Sequence, residues 1–329
     1  MNCGTDLVTG GAGFIGSELV RQLVAAGRRV VVLDNLDTGR AEYLSDLNVD
    51  LVVANILDRD AVAHCVGGAE RVFHLACLGL RRSIYDPIAV HEVNATGALV
   101  LLEASRRAGI SRFVYVSSSE VYGTAQRTPM GEDHPTHPTT PYGASKLAGE
   151  SYARAAFITY GLPVAIVRPF NAFGPHAHHE GDSGEVIPRF LLRALAGRPL
   201  VVFGDGRQTR DFTHVSDTAR GIRLAGEADT AIGETINLGS GAEVAINDLA
   251  VSIRALVSSS SPIVHEPPRP GDVRRHCADA RRARDLLGWT PLTPLAAGLA
   301  GLYQEWIESD KRADDLLADE ILHNWVASP

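Results

Sequence analysis

Cysteine is scarce in this chain: four residues in 329, Cys3, Cys65, Cys77 and Cys277, with no C-x-x-C pair. A disulfide framework is thereby excluded, and Cys65 and Cys77, set in apolar stretches, read as small core residues. Basic charge is in short supply too. Lys and Arg number 31 against 39 Asp and Glu, the formal net charge is -8, and no Lys/Arg run interrupts that balance. A nucleic-acid surface is not expected on such a chain, although a few buried arginines can still bind phosphate inside an acidic protein. No apolar run approaches the roughly 20 residues that span a bilayer, so no membrane segment is expected. Repeats and low-complexity segments are absent, and the chain opens on a strand and a glycine loop rather than a basic-then-apolar leader. We expect a cytoplasmic protein. Hydrophobic content of 45% and charged content of 21% are ordinary for a globular chain, long enough here for one large domain or two medium ones.

What is present is alternation. Short apolar segments at 6–9, 29–33, 51–54, 71–75, 112–117 and 164–168 predict strands, with helices over 16–26, 90–108 and 142–160 between them. Gly109 and Gly161 supply helix stops. Strands alternating with helices specify an α/β fold with a doubly wound parallel sheet. After Pro169, loops rich in His, Gly and Pro separate shorter elements. We expect a large domain over 1–170 plus about 213–234, the latter carrying a helix at 213–225. A smaller, interleaved C-terminal α/β domain takes 171–212 and 235–329. The stretch 310–325 carries Leu316, Leu317, Ile321, Leu322 and Trp325 on one face and predicts a packed terminal helix.

Gly10-Gly-Ala-Gly13-Phe-Ile-Gly16 sits between the first strand and its helix. Glycines there permit a tight turn and close approach of a pyrophosphate to a helix N-terminus. Asp34 ends strand two about twenty residues on, where a carboxylate accepts hydrogen bonds from ribose hydroxyls and repels a 2'-phosphate. The pattern is that of a Rossmann domain holding NAD rather than NADP.

Tyr142 and Lys146, in Pro-Tyr-Gly-Ala-Ser-Lys, lie four apart and share a helix face. The ammonium is expected to favour the phenolate, which then takes a proton from an alcohol. Strand five runs out into Ser117-Ser-Ser119-Glu120-Val-Tyr122-Gly123. Ser117 reads as a turn residue. Ser118 can hold a substrate hydroxyl against Tyr142, and Glu120 is either a solvated carboxylate or a base for a proton alpha to a carbonyl.

With these motifs go His74-Leu75-Ala76, Asn94-Ala-Thr-Gly97, Arg168-Pro-Phe-Asn171-Ala-Phe-Gly-Pro175, Gly204-Asp-Gly-Arg-Gln-Thr-Arg210-Asp-Phe212, Arg269-Pro-Gly-Asp272 and Leu287-Gly-Trp289. Over nearly its whole length the chain resembles the extended short-chain dehydrogenase/reductase family, in particular its NAD-dependent nucleotide-sugar epimerases and dehydratases such as UDP-glucose 4-epimerase. The resemblance implies that Ser118, Tyr142 and Lys146 are catalytic. Gly10, Gly13, Phe14, Ile15, Gly16, Asp34, Asn35, Asn55, Ile56, Leu75, Ala76 and Asn94, with Tyr142 and Lys146, would contact NAD. Asn55 departs from the Asp usual at its place. Ser118, Asn171, Val186, Arg210, Arg269 and Asp272 would contact a nucleotide sugar, with Asn171 and the two arginines on its diphosphate. His176 stands where many relatives have Arg. The run His176-Ala177-His178-His179-Glu180 suggests a metal, but the family needs none, and none is expected. The family also implies a homodimer joined by the helices starting near Val90 and Tyr142.

The first reading is a 4-epimerase of a UDP-hexose or UDP-hexuronic acid, working through a transient 4-keto sugar. The second is a 4,6-dehydratase with Glu120 removing the C5 proton, for which Ser119 departs from the usual Asp. The third is a non-catalytic NAD-binding sensor, which would need the glycine loop and Asp34 but not Ser118, Tyr142 and Lys146.

Overall fold

The structure, a computed structural model, describes residues 4–326; Cys3 and the outermost residues of both expected domains lie outside them. The first half alternates as its pattern predicts. In order come β1 (Thr5–Thr9), α1 (Phe14–Ala25), β2 (Arg29–Asp34), β3 (Asp50–Val53), α2 (Arg59–Gly67) and β4 (Arg71–His74). Next are α3 (Leu80–Tyr85), α4 (Pro87–His91), α5 (Gly97–Ala108), β5 (Arg112–Val116), α6 (Pro141–Tyr160) and β6 (Val164–Pro169). The strands are near-continuous apolar runs because helices cover both faces. In β2, for example, Val30 and Val32 are fully buried.

The helix expected over 90–108 starts earlier, at Pro87 capped by Asp86, and passes through a π turn at Glu92–Thr96 before continuing as α5. The sheet has seven parallel strands in the order β11-β6-β5-β4-β1-β2-β3. Its order reverses between β1 and β4, where the strands' carboxyl ends open a crevice for ligand.

Beyond β6 the chain makes β7 (Asn171–Phe173), α7 (Val186–Leu195), β8 (Leu200–Phe203), β9 (Thr209–Arg210) and β10 (Phe212–His214). It then returns as α8 (Val215–Glu227), packed on α1, β5 and β6. The boundary expected near 234 falls just before β11 (Thr235–Leu238), which pairs β6 and closes the large sheet. Then follow β12 (Val244–Ala245), α9 (Ile246–Leu256), β13 (Ile263–Glu266), α10 (Arg281–Leu287), α11 (Leu295–Glu308) and α12 (Ala313–Leu316).

Phe173, Phe190, Leu200, Ile246, Leu249 and Leu302 form a core of their own. Ala283, Leu287 and Trp289, by contrast, join the core beside α1. One expectation fails. The stretch 310–325 is helical only over Ala313–Leu316; the preceding Leu295–Glu308 makes the long helix, setting Leu295, Leu299 and Leu302 into the second core. Downstream, tertiary anchors hold the backbone out of a helix. Buried Asn324 donates to the Asp182 carbonyl at 2.8 Å, and Trp325 packs edge-on to Phe203.

Candidate active site

One cavity of about 470 Å³ runs from the glycine loop to Arg269. At its first end, Gly10 adopts φ +71° and lies so close to β4's continuation that a Cβ would stand 2.6 Å from the Ala76 nitrogen. A Cβ on Gly16 would meet the Gly10 carbonyl oxygen at 2.0 Å. The turn therefore tolerates no side chain at either position. Gly13 caps α1 without a side-chain bond, and no acid occupies the first turn, which leaves N–H groups free for an anion. Asp34, 7% exposed, accepts from Ala12 N at 3.0 Å and Leu36 N at 2.9 Å, so the same carboxylate organises the loop that it borders. Phe14, Ile15, Asn35, Asn55, Ile56, Leu75 and Ala76 line this end. A bare glycine cradle, an uncapped helix start and a fixed carboxylate fit a dinucleotide. Asn94 is elsewhere: it sits in the π turn behind the wall, bonding Leu78 N (2.8 Å), Leu78 O (3.0 Å) and Ser145 Oγ (3.0 Å). It thereby ties the loop after β4 to α6.

The middle of the cavity holds the chemistry. Pro141 at the first helical position and Thr140, accepting from Gly143 N at 3.1 Å, start α6 where β5 ends. That places Tyr142 and Lys146 on one face toward the cavity, with Ser118 and Glu120 opposite, at the end of β5. The phenol does not behave as the sequence pattern predicts. Burial raises its pKa well above the ordinary value; Cys77, Glu120 and Glu185 push the same way, and a hydrogen bond with Ser118 opposes them. Lys146, 2% exposed, makes no ion pair or side-chain hydrogen bond among the described residues. Burial lowers its pKa as well. Desolvation therefore dominates at both groups, raising the pKa of the phenol and lowering that of the lysine.

Behind this face Glu150 is 1% exposed; it accepts from Arg168 Nε and Ser117 Oγ, each at 3.0 Å. Arg168 also donates to the Tyr122 hydroxyl at 2.8 Å, and that hydroxyl donates to Asn237 at 2.7 Å. Ser117, expected as a turn residue, instead bonds a buried carboxylate and lines the cavity. Glu120 has a buried oxygen with no partner, and burial raises its pKa against the pull of Arg210 and Arg81. Ser119 turns away toward His276 Nδ1 at 3.4 Å.

At the far end, Asn171, Val186, Arg210, Arg269 and Asp272 all line the cavity. Arg210 is paired with Asp272 and donates to the Thr209 and Val273 carbonyls at 2.8 Å. The Arg269 guanidinium stacks 4.3 Å from the Phe203 ring and 5.5 Å from Trp325. Buried Arg269 Nε and Asn171 Oδ1 have no partners, and burial lowers the Arg269 pKa well below its usual value. Polar atoms left unsatisfied around an open cavity are those a ligand would satisfy.

Three cavity residues escaped the sequence reading. Cys77 is no core residue: it is only partly buried and lines the cavity together with Tyr142 and Lys146. Arg81 stands in the first turn of α3, and Glu185 caps α7, its carboxyl pKa raised by burial to about 7. Of the histidines, His178 lines the cavity, while His176 stacks on Tyr43 at 3.8 Å and meets Ser17 Oγ at 3.2 Å. No group of three or more His, Cys, Asp or Glu side chains placed to hold a metal occurs among the described residues. No described helix is long and apolar enough to cross a membrane.

Residues 7–239 match the NAD dependent epimerase/dehydratase family. The UDP-glucose 4-epimerase of Mycolicibacterium smegmatis is 40% identical over 302 residues, covering 89% of this chain and 96% of the relative. A UDP-glucose 4-epimerase from Thermotoga maritima, solved with UDP-glucose, superposes with a TM-score of 0.89 at 34% identity, covering 92% of this chain and 99% of that one. A dTDP-glucose 4,6-dehydratase from Streptomyces venezuelae, solved with NAD, gives 0.88 at 33% identity, covering 93% and 97%.

Proposed function

The chain belongs to the NAD-dependent epimerase/dehydratase family, and from that premise we propose that it is a nucleotide-sugar 4-epimerase acting on a UDP-hexose or UDP-hexuronic acid through a transient 4-keto sugar. The observation that carries the reading is the meeting of Ser118, Tyr142 and Lys146 on the wall of one cavity, with Lys146 making no ion pair among the described residues. NAD, when bound, supplies the hydride acceptor and donor and a positive ring. We assign its adenosine end to Asp34, Asn35, Asn55 and Ile56, its pyrophosphate to the glycine loop, and its nicotinamide end to Tyr142 and Lys146. Tyr142 takes the C4 hydroxyl proton and later returns it. Added positive charge near the phenol offsets the burial that raises its pKa. Ser118 holds the same oxygen in line, and Lys146 shares the proton's hydrogen-bond path. The smaller set of elements after β6 would grip the nucleotide, with Asn171, Arg210 and Arg269 on the diphosphate. Leu99, Tyr152 and Ile158, exposed on α5 and α6, suit a second copy of the chain and support a homodimer.

The buried, unpartnered oxygen of Glu120 supports a second reading, in which that carboxylate removes the C5 proton and water is eliminated, as in a 4,6-dehydratase. Ser119 favours the first, since its hydroxyl is turned to His276 and offers no acid beside Glu120. Incubation of the NAD-loaded protein with UDP- and dTDP-hexoses, followed by NMR of the products, separates the two. Epimerised sugar with no accumulating ketone is expected, and Tyr142→Phe lowers turnover about 10²- to 10⁴-fold. A stable 4-keto-6-deoxy product would replace this reading with the second.

A further inference from the structure

Arg81 stands in the first turn of α3, on the cofactor side of the cavity, and makes no hydrogen bond or ion pair with any described residue. Its neighbour Arg82 does the opposite, bonding Asp37 at 2.9 Å and lying 3.8 Å from Asp86. Among charges, Asp272 acts on Arg81 most strongly, then Glu120 and Arg210; in turn Arg81 is the charge that acts most strongly on Arg269. Arg81 lines the same cavity as the Arg210–Asp272–Arg269 cluster that the other side contributes. Three guanidiniums on one cavity, with burial lowering the pKa of Arg81 and Arg269, raise one another's energy. Asp272, already paired with Arg210, offsets that cost only in part; an anionic ligand offsets the rest.

The charges decide which anion. Arg81, Arg210 and Arg269 against Asp272 leave two positive charges, the number that a dianionic diphosphate neutralises. Of the further carboxyls lining this region, Glu120 and Glu185 are pushed by burial toward their uncharged forms, and Asp182 accepts from the Tyr85 hydroxyl. A carboxylate on the sugar would add a third negative charge with no guanidinium of this cluster left for it. We propose that Arg81 is the third arm of the diphosphate clamp, reaching over from the cofactor side, and that the charge so balanced selects an uncharged hexose over a hexuronate. The proposal rests on the nucleotide-sugar reading and narrows it.

Calorimetric titration of the NAD-loaded protein with UDP, dTDP and the corresponding nucleosides tests it. Arg81→Ala weakens nucleoside diphosphate binding about 10- to 100-fold and nucleoside binding little, the loss expected for a charge-assisted bond to phosphate. The melting temperature without ligand stays unchanged, because Arg81 bonds nothing in the fold. The wild type turns over UDP-glucose with a kcat/KM at least about 10-fold above that for UDP-glucuronate. Diphosphate binding left intact by Arg81→Ala overturns the clamp alone. A preference for UDP-glucuronate that vanishes in Arg81→Ala shows instead that Arg81 reads the sugar. Failure of the wild type to bind any nucleoside diphosphate overturns the nucleotide-sugar reading and the clamp with it.

Discussion

Replacing Glu185 by Gln removes a loss of stability that the native chain suffers as pH rises toward neutrality. Glu185 caps α7 at the cavity wall, and its side chain accepts no hydrogen bond from any described residue. Burial raises its pKa to about 7; His178 and Arg81 pull it down, and Glu180 adds to the rise. An unfolded glutamate titrates near its ordinary value of about 4.3. Between those limits the folded chain binds the proton that the unfolded chain has released, so stability falls with rising pH. The contribution is fully present below about pH 4, is lost steadily through the interval, and levels off above pH 7. A displacement of somewhat over two pKa units corresponds to about 3 kcal/mol. Urea unfolding of wild type and Glu185→Gln at pH 5 and pH 8 isolates the effect, because every group common to both cancels. His178, whose own pKa is raised with Glu180 as partner, titrates nearby but is present in both proteins. The variant should gain about 2–3 kcal/mol relative to wild type between pH 5 and pH 8. A difference that stays constant with pH refutes the burial argument, and one of opposite sign shows that Glu185 is ion-paired rather than stranded.

Glu150→Ala leaves the Arg168 guanidinium buried without its carboxylate and removes the acceptor of Ser117. Breaking such a buried pair costs about 3–5 kcal/mol, read as a lower urea midpoint; a loss under about 1 kcal/mol refutes the pair's structural role. Gly16→Ala forces a Cβ to 2.0 Å from the Gly10 carbonyl oxygen, a backbone atom that cannot step aside. The purified variant should carry far less NAD than wild type by absorbance after denaturation, and an undiminished content would show that the turn relaxes without harm.

The parts of the molecule that could be read from its letters are those in which a few adjacent residues impose geometry. The glycine turn, Asp34 at the end of β2, and Tyr142 with Lys146 on one helix face follow from backbone freedom and helical spacing alone. What stayed hidden depends on distant packing. Arg81 and Arg82 are alike in sequence, and only the placement of Asp37 and Asp86 beside the second sets them apart. The ammonium near Tyr142 was legible, but not the dryness around it, so the phenol shifts opposite to the expected direction. Cys77 looked like core because its neighbours are apolar, whereas the crevice beside β4 exposes it to the cavity. β11 spans four residues, too few for a period to declare itself, and its burial on every residue comes from the sheet that it joins. The apolar face of 310–325 was real as a pattern, but Asn324 and Trp325 spend it on fixed contacts rather than on a helix.

The way the chain weaves has a practical consequence. It leaves the large sheet after β6, returns for α8 and β11, leaves again, and returns once more to set Trp289 against α8. Truncation near residue 234 would strip β11 from the sheet and bare the backbone of β6, creating a sticky edge open to any passing strand. Neither half can be excised as a soluble fragment, and a protease that nicked a connecting loop would leave two pieces still clasped together.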